Sequence, residues 1–304
     1  MRFSIFQDSA IGGRPVNQDR MGYCYTRSSL MMVLADGMGG HLRGEVAAQI
    51  AVQAAGAAFR RLARPRLTDP SEFLGEVLMN AHRDILRYQS LHRLPEAPRT
   101  TFVACVVQDG RAWWAHAGDS RCYWVRDARL RTCTRDHSRV ADLVAMGVIR
   151  PEEALHHPER HLVSNCLGAP FVPRIEIAGG ERLRGGDTLM LCSDGIWSAI
   201  PDDELCRRIG GAPAATAVPE LVRDAVRRSG PSADNATVVA MNWESDDTSG
   251  ERRPEAAFSD AEVTTTIALE PFDDAEIPEL SEDEIERTIA EIRLAIARKG
   301  ARSG

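Results

Sequence analysis

Apolar and polar positions divide the chain into two regimes. Over residues 1–243, short apolar runs alternate with longer segments of helical period. Phe3–Asp8 and Leu30–Ala35 read as strands. Residues 43–63 and 71–93 carry long helical patterns, with Pro65, Pro70 and Pro95 near their ends. Thr101–Gln108, an Asp109-Gly110 turn and Arg111–Ala117 form a hairpin signal, repeated by Arg121–Arg126 and Arg129–Thr134 around Asp127-Ala128. Helical patterns at 138–146 and 151–155 lead into an irregular stretch. A strand at Asp187–Cys192, helices at 202–209 and 216–229, and a strand at Ala236–Asn242 complete this region. Strands in hairpins with helices grouped between them predict an α+β fold rather than a parallel sheet.

Residues 244–280 shift to Asp, Glu, Thr, Ser and Pro with little apolar periodicity, which predicts an acidic flexible linker. Residues 281–304 differ again. Ser281 and Glu284 make a capping-box pair, and Ile285, Ile289, Ile292 and Ile296 recur at helical spacing. An amphipathic helix follows, available for partner or self-contact through 281–299. Charge respects the same boundary: residues 244–304 hold 17 acidic and 7 basic residues, the rest 27 and 30. With no basic stripe, nucleic acid is not expected as a partner. No apolar run approaches the roughly 18 residues of a membrane span, and the N-terminus has no signal-peptide stretch, so a cytoplasmic protein is expected. The seven cysteines include no Cys-x-x-Cys pair, which argues against a zinc site or a disulfide framework.

The chemistry concentrates in aspartates at strand boundaries. Met32-Val33-Leu34-Ala35 runs into Asp36-Gly37-Met38-Gly39-Gly40. Trp113–Ala117 runs into Gly118-Asp119-Ser120-Arg121, and Leu189–Cys192 into Ser193-Asp194-Gly195. Ser232-Ala233-Asp234-Asn235 stands just before the last strand. Strand ends can aim several carboxylates into one space, and glycines let backbone carbonyls approach a ligand. Carboxylates and carbonyls suit hard cations such as Mg²⁺ and Mn²⁺ rather than zinc. Two such cations side by side can clamp an in-line displacement at phosphorus. One Asp-Gly alone is ordinarily a turn; four aspartates in this setting are not. Arg14-Pro15-Val16-Asn17-Gln18-Asp19 adds a guanidinium that can fork onto a phosphate near another metal-binding carboxylate.

Together these segments, over residues 3 to 243, resemble the PPM family of metal-dependent protein phosphatases, also called the PP2C type. The resemblance implies two packed antiparallel β-sheets flanked by α-helices, an α-β-β-α sandwich with metals in a cleft at one end. It implies that Asp36 bridges two Mn²⁺ or Mg²⁺ ions while Gly37 gives a carbonyl to one. Asp194 and Asp234 complete the other metal's shell, Asp19 acts at or just behind the ligands, and Asp119 marks a third metal position. Arg14 resembles the phosphate-binding arginine, Thr100-Thr101 the paired threonines, and Thr134-Arg135-Asp136-His137 the segment leading into the flap. The implied activity is hydrolysis of phosphoserine and phosphothreonine in proteins, opposing a bacterial Ser/Thr kinase. Two positions depart from the animal pattern. Met38 stands where a histidine general acid is proposed, so the leaving group must take its proton from metal-bound water or another group, with His41 a candidate. Gln18 replaces a glutamate, removing a charge near the metals.

Rival readings are weaker. Cys105 with Arg111 and Cys133 with Arg139 have the spacing of a cysteine phosphatase, but each interval contains an aspartate where phosphate would sit. His156, His157 and His161 fit no zinc signature. Trp113-Trp114 reads as packing. The alternative function is a catalytically weak phosphoprotein-binding or scaffold protein on the same fold, which the intact aspartates oppose. Val263-Thr264-Thr265-Thr266-Ile267 reads as linker or as a kinase target. Deleting 245–304 is expected to alter association but not turnover.

Overall fold

The computed structural model describes residues 1–38, 43–154, 157–160, 162–245 and 264–267. Five strands, β1 (Arg2–Ala10), β6 (Arg121–Arg126), β7 (Arg129–Cys133), β9 (Thr188–Cys192) and β10 (Ala236–Ser245), form a sheet in the order β1-β10-β9-β6-β7. Six others, β2 (Asp19–Tyr25), β3 (Ser29–Asp36), β4 (Phe102–Gln108), β5 (Arg111–Ala117), β8 (Glu176–Arg182) and β11 (Thr264–Thr265), form a second in the order β11-β2-β3-β4-β5-β8. Every pairing is antiparallel.

The apolar runs are continuous because both faces of each sheet are covered. Along β3, Leu30, Met32 and Leu34 enter the core between the sheets, while Met31, Val33 and Ala35 face the helix side. Long helices α1 (Gly44–Leu62) and α2 (Pro70–Leu91) cover that face through Ala47, Ala51, Phe59, Leu74 and Leu78. On the other sheet, β10 sends Val239 and Met241 inward, and Val238 and Ala240 outward against α6 (Asp202–Gly211) and α7 (Ala214–Ser229). Three apolar layers therefore sit between four layers of structure, the α-β-β-α sandwich expected from the resemblance. The shorter helices are α3 (Arg139–Ala145), α4 (Pro151–Ala154) and α5 (Asp194–Trp197).

Local signals explain the boundaries. Asp69 caps α2 by accepting from the amides of Ser71 and Glu72, with Pro70 at the first turn. Asp109 and Gly110 both take positive φ, 51° and 63°, as a two-residue hairpin turn requires. The β6–β7 turn imposes the same conformation on Asp127 and Ala128, at 51° and 56°.

Strands β2, β8 and β11 were not expected. Gly22 interrupts the pattern of β2, and β8 reads Glu-Ile-Ala-Gly-Gly-Glu-Arg, an exposed edge held by pairing rather than apolar content. Within the segment expected to be linker, Glu244 and Ser245 continue β10, and Thr264–Thr265 pairs with β2. The helix expected over 281–304 lies outside the described residues.

Candidate metal centre

Antiparallel pairing brings the strand-boundary aspartates to one end of the sandwich. Asp19 opens β2 directly opposite Asp36, which closes β3. Phe102 at the start of β4 pairs with Ala117 at the end of β5, placing Gly118-Asp119 on the same rim. In the other sheet, Cys192 pairs with Val238, so Asp194 and Asp234 leave from neighbouring ends. Ser193 joins the sheets: its hydroxyl donates to Asp19 Oδ2 at 2.7 Å and accepts from the Thr237 amide at 3.0 Å.

The rim is braced around Asp36. Its carbonyl accepts from the Thr101 amide at 2.9 Å and the Thr100 hydroxyl at 2.8 Å. Its amide donates to Thr101 Oγ1 at 3.1 Å, and that hydroxyl pairs with Ser120 Oγ at 2.7 Å. Gly37 passes through a slot that admits no side chain, since a Cβ there would lie 2.5 Å from the Gly44 backbone and 2.8 Å from the Gln18 carbonyl. Asn235 ties the N-terminal loop to β10, accepting from the Gln18 amide and donating to the carbonyls of Ile11 and Val16. Gln18 Nε2 donates to Glu45 Oε2 at 3.1 Å, so a carboxylate stands beside the neutral amide. Arg14 Nη2 donates to Asp234 Oδ2 at 2.5 Å, with half its side chain in solvent.

The electrostatics are those of charges held together against their preference. Burial pushes Asp19 up to about 6, and the nearby Asp234 charge adds to it. Asp119 is pushed up to about 7, first by burial and then by Asp136. Asp36 lies well above the ordinary carboxylate range through burial, then repulsion from Asp19, Asp194, Asp119 and Asp234. Asp194 is raised by burial and by Asp119, Asp234 and Asp19, and Arg14 offsets part of this. Asp19 Oδ1 is buried with no hydrogen-bond partner. A buried, unsatisfied carboxylate oxygen among mutually repelling aspartates costs stability unless a cation accompanies it. The donor set is all oxygen, which fits Mn²⁺ or Mg²⁺.

The structure thus brings Asp19, Asp36, Gly37, Asp119, Asp194 and Asp234 together, with Arg14 at the margin. Sequence reading missed the braces Ser193, Asn235, Ser120 and Trp197. Trp197 Nε1 donates to the Asp119 carbonyl at 3.0 Å, and the Arg121 guanidinium lies 3.9 Å over its ring while forking onto Asp136 at 2.8 and 2.9 Å. Ser193 before Asp194-Gly195 and Asn235 after Asp234 were signals in plain view. His41, and the His156 and His161 of the zinc alternative, lie outside the described residues.

Two other clusters carry different chemistry. His116, His137 and Glu176 present atoms within 4.8 Å of one another. His137 Nδ1, however, accepts from the Gly118 amide at 3.2 Å and the Asn165 amide group at 2.7 Å. Its proton therefore sits on Nε2, 3.1 Å from Glu176, leaving no lone pair there for a metal. Cys133 is pushed up to about 12 by burial, and Cys105 is fully buried between the sheets, so neither is a thiolate nucleophile.

A β-sandwich with buried carboxylates converging on one rim offers an all-oxygen donor set of the kind that suits divalent cations. The family model for protein phosphatase 2C matches residues 7–228, and the chain belongs to that family. It is 33% identical to protein phosphatase PhpP of Streptococcus pneumoniae over 240 residues, 76% of this chain and 94% of that protein. The crystal structure of Mycobacterium tuberculosis PstP/Ppp, a serine/threonine phosphatase, is 32% identical with a TM-score of 0.69, covering 80% of this chain and 99% of that one. The catalytic domain of PstP solved with two manganese ions is 30% identical with a TM-score of 0.65, covering 79% and 97%. No finding supports the scaffold alternative. No helix among the described residues is long and apolar enough to cross a membrane.

Proposed function

We propose that Asp19, Asp36, Gly37, Asp194 and Asp234, with Asp119 at a third position, hold Mn²⁺ or Mg²⁺ for hydrolysis of phosphoserine and phosphothreonine in proteins. The chain is a metal-dependent protein serine/threonine phosphatase. The observation that carries the residue assignment is Asp19 Oδ1, buried without a partner beside mutually repelling aspartates. A cation pair held by these aspartates would supply the chemistry of a water activated at neutral pH beside a polarised phosphoryl group. The chain's own residues supply position. Thr100 and Thr101 fix the Asp36 backbone, Ser193 orients Asp19, and Asn235 holds the N-terminal loop against β10. Arg14 uses one guanidinium nitrogen on Asp234 and keeps donors for a substrate phosphate at the open rim. Phosphorylated proteins, among them a cognate Ser/Thr kinase and its targets, are the partners this reading implies, and the cytoplasm is the compartment.

Phosphate release from a phosphothreonine peptide tests the reading. Turnover should require added Mn²⁺ or Mg²⁺ and vanish in excess EDTA. Undiminished turnover in EDTA would overturn it.

A further inference from the structure

Thr264–Thr265 covers the outer edge of β2, away from the aspartates, opposite Tyr25 and Cys24. The edge is shaped for this segment. Ile267 is only 5% exposed and packs into the core under α1. It fits because position 22 is glycine: a Cβ there would lie 2.5 Å from Ile267 Cγ1. Toward Asp19 the edge is closed differently, by Arg20 Nη1 donating to the carbonyls of Asn17 and Asp19 at 2.8 Å each. The seat therefore begins opposite Tyr25 and ends at Gly22.

Thr265 is the hinge of this contact. Its hydroxyl donates to the Tyr23 carbonyl at 3.2 Å and accepts from the Ile267 amide at 3.0 Å. Cys24 Sγ lies 2.9 Å away, and its thiol, pushed up to about 11 by burial, keeps its proton and donates. The single hydroxyl proton and both lone pairs are used. Thr266 adds two bonds to the same residue: its amide donates to the Tyr23 carbonyl at 3.0 Å and its Oγ1 accepts from the Tyr23 amide at 3.1 Å. With two ladder residues and one buried apolar side chain among the described residues, the segment belongs to the easily released part of the fold.

We propose that Thr265 is a phosphorylation site, and that phosphorylation there and docking of residues 264–267 on the β2 edge are mutually exclusive. A threonine-directed protein kinase would supply the γ-phosphoryl group of ATP. The O–P bond forms at Thr265 Oγ1 as the bond to ADP breaks, and the hydroxyl proton leaves through the kinase's base. The ester has no proton for the Tyr23 carbonyl and sets about two negative charges against that oxygen. The hydroxyl is engaged while docked, so the kinase acts on the released segment, and the phosphate then keeps it released. The proposal stands apart from the chemistry of the metal centre.

Amide hydrogen exchange of the full chain reads docking at Thr266 and Ile267, with β3 as the internal standard for an intact fold. In EDTA, both amides should be protected in the native chain and in Thr265→Ser. In Thr265→Glu their exchange should rise at least tenfold while β3 is unchanged. A second arm treats an Asp36→Asn chain, which cannot erase the label, with a purified threonine-directed protein kinase and Mg-ATP. Phosphate should appear on Thr265, several-fold faster when Ile267→Ala empties the seat over Gly22. Unprotected amides in the native chain, unchanged protection in Thr265→Glu, or no label on Thr265 in either chain would each overturn the proposal.

Discussion

Replacing Asp19 by asparagine should stabilise the metal-free protein while removing its function. In the folded chain the Asp19 carboxyl is raised from 3.8 to about 6, chiefly by burial. A raised carboxyl favours the folded state while protonated, so that contribution is complete below pH ~4 and is lost as pH rises through about 6. The shift of roughly 2 pH units corresponds to roughly 3 kcal/mol of penalty at pH 8. Asparagine keeps the shape and cannot ionise. In EDTA at pH 8, Asp19→Asn should therefore unfold at higher denaturant than the native chain, and the gap should close near pH 4. Histidines that titrate over the same range, such as His137, lowered to about 4 by burial, are common to both chains and cancel in the difference. Urea unfolding at pH 4, 6 and 8 supplies the comparison. Adding Mn²⁺ should reverse the order at pH 8, because the native chain gains more from the cation than a chain with one carboxylate fewer. A variant less stable than the native chain at pH 8 in EDTA would refute the electrostatic reasoning.

Other expectations follow from single contacts. Gly37→Ala forces a Cβ against the Gly44 backbone, so turnover should fall at least 100-fold, with Mn²⁺ affinity measured alongside. Arg14→Ala should raise KM for a phosphothreonine peptide by roughly tenfold with a smaller effect on kcat, as expected for loss of a charge-assisted phosphate contact. Thr101→Val removes the acceptor for the Asp36 amide and the partner of Ser120, and should cost about 1–3 kcal/mol in urea unfolding.

Legibility in the sequence followed burial and charge. Asp36, Asp119 and Asp194 stood out because each ends an apolar run, and a carboxylate at that place needs a reason. The two-sided burial of β3 and β10 appears as unbroken apolar stretches rather than alternation. Other elements take their structure from neighbours. β8 has two glycines and mostly exposed positions, and it exists as a strand because β5 offers it an edge. β11 comes from a Thr-rich stretch whose large apolar anchor among the described residues is Ile267, and its seat depends on a glycine distant in sequence. The braces Ser193, Asn235 and Trp197 act across long sequence separations, so their partners are visible only once the sheets are packed. The acidic segment illustrates the limit of composition: it predicts a linker and gives no warning that Thr264–Thr265 within it complete a sheet edge.

Hydrolysis should depend on a cation site formed by these aspartates. A calorimetric titration of Mn²⁺ into the metal-free chain and into Asp36→Asn, with phosphothreonine-peptide turnover measured on the same samples, tests that dependence most directly. Two ions should bind strongly to the native chain, with binding and turnover lost together in Asp36→Asn. Equal Mn²⁺ binding and equal turnover in the two chains would contradict that dependence.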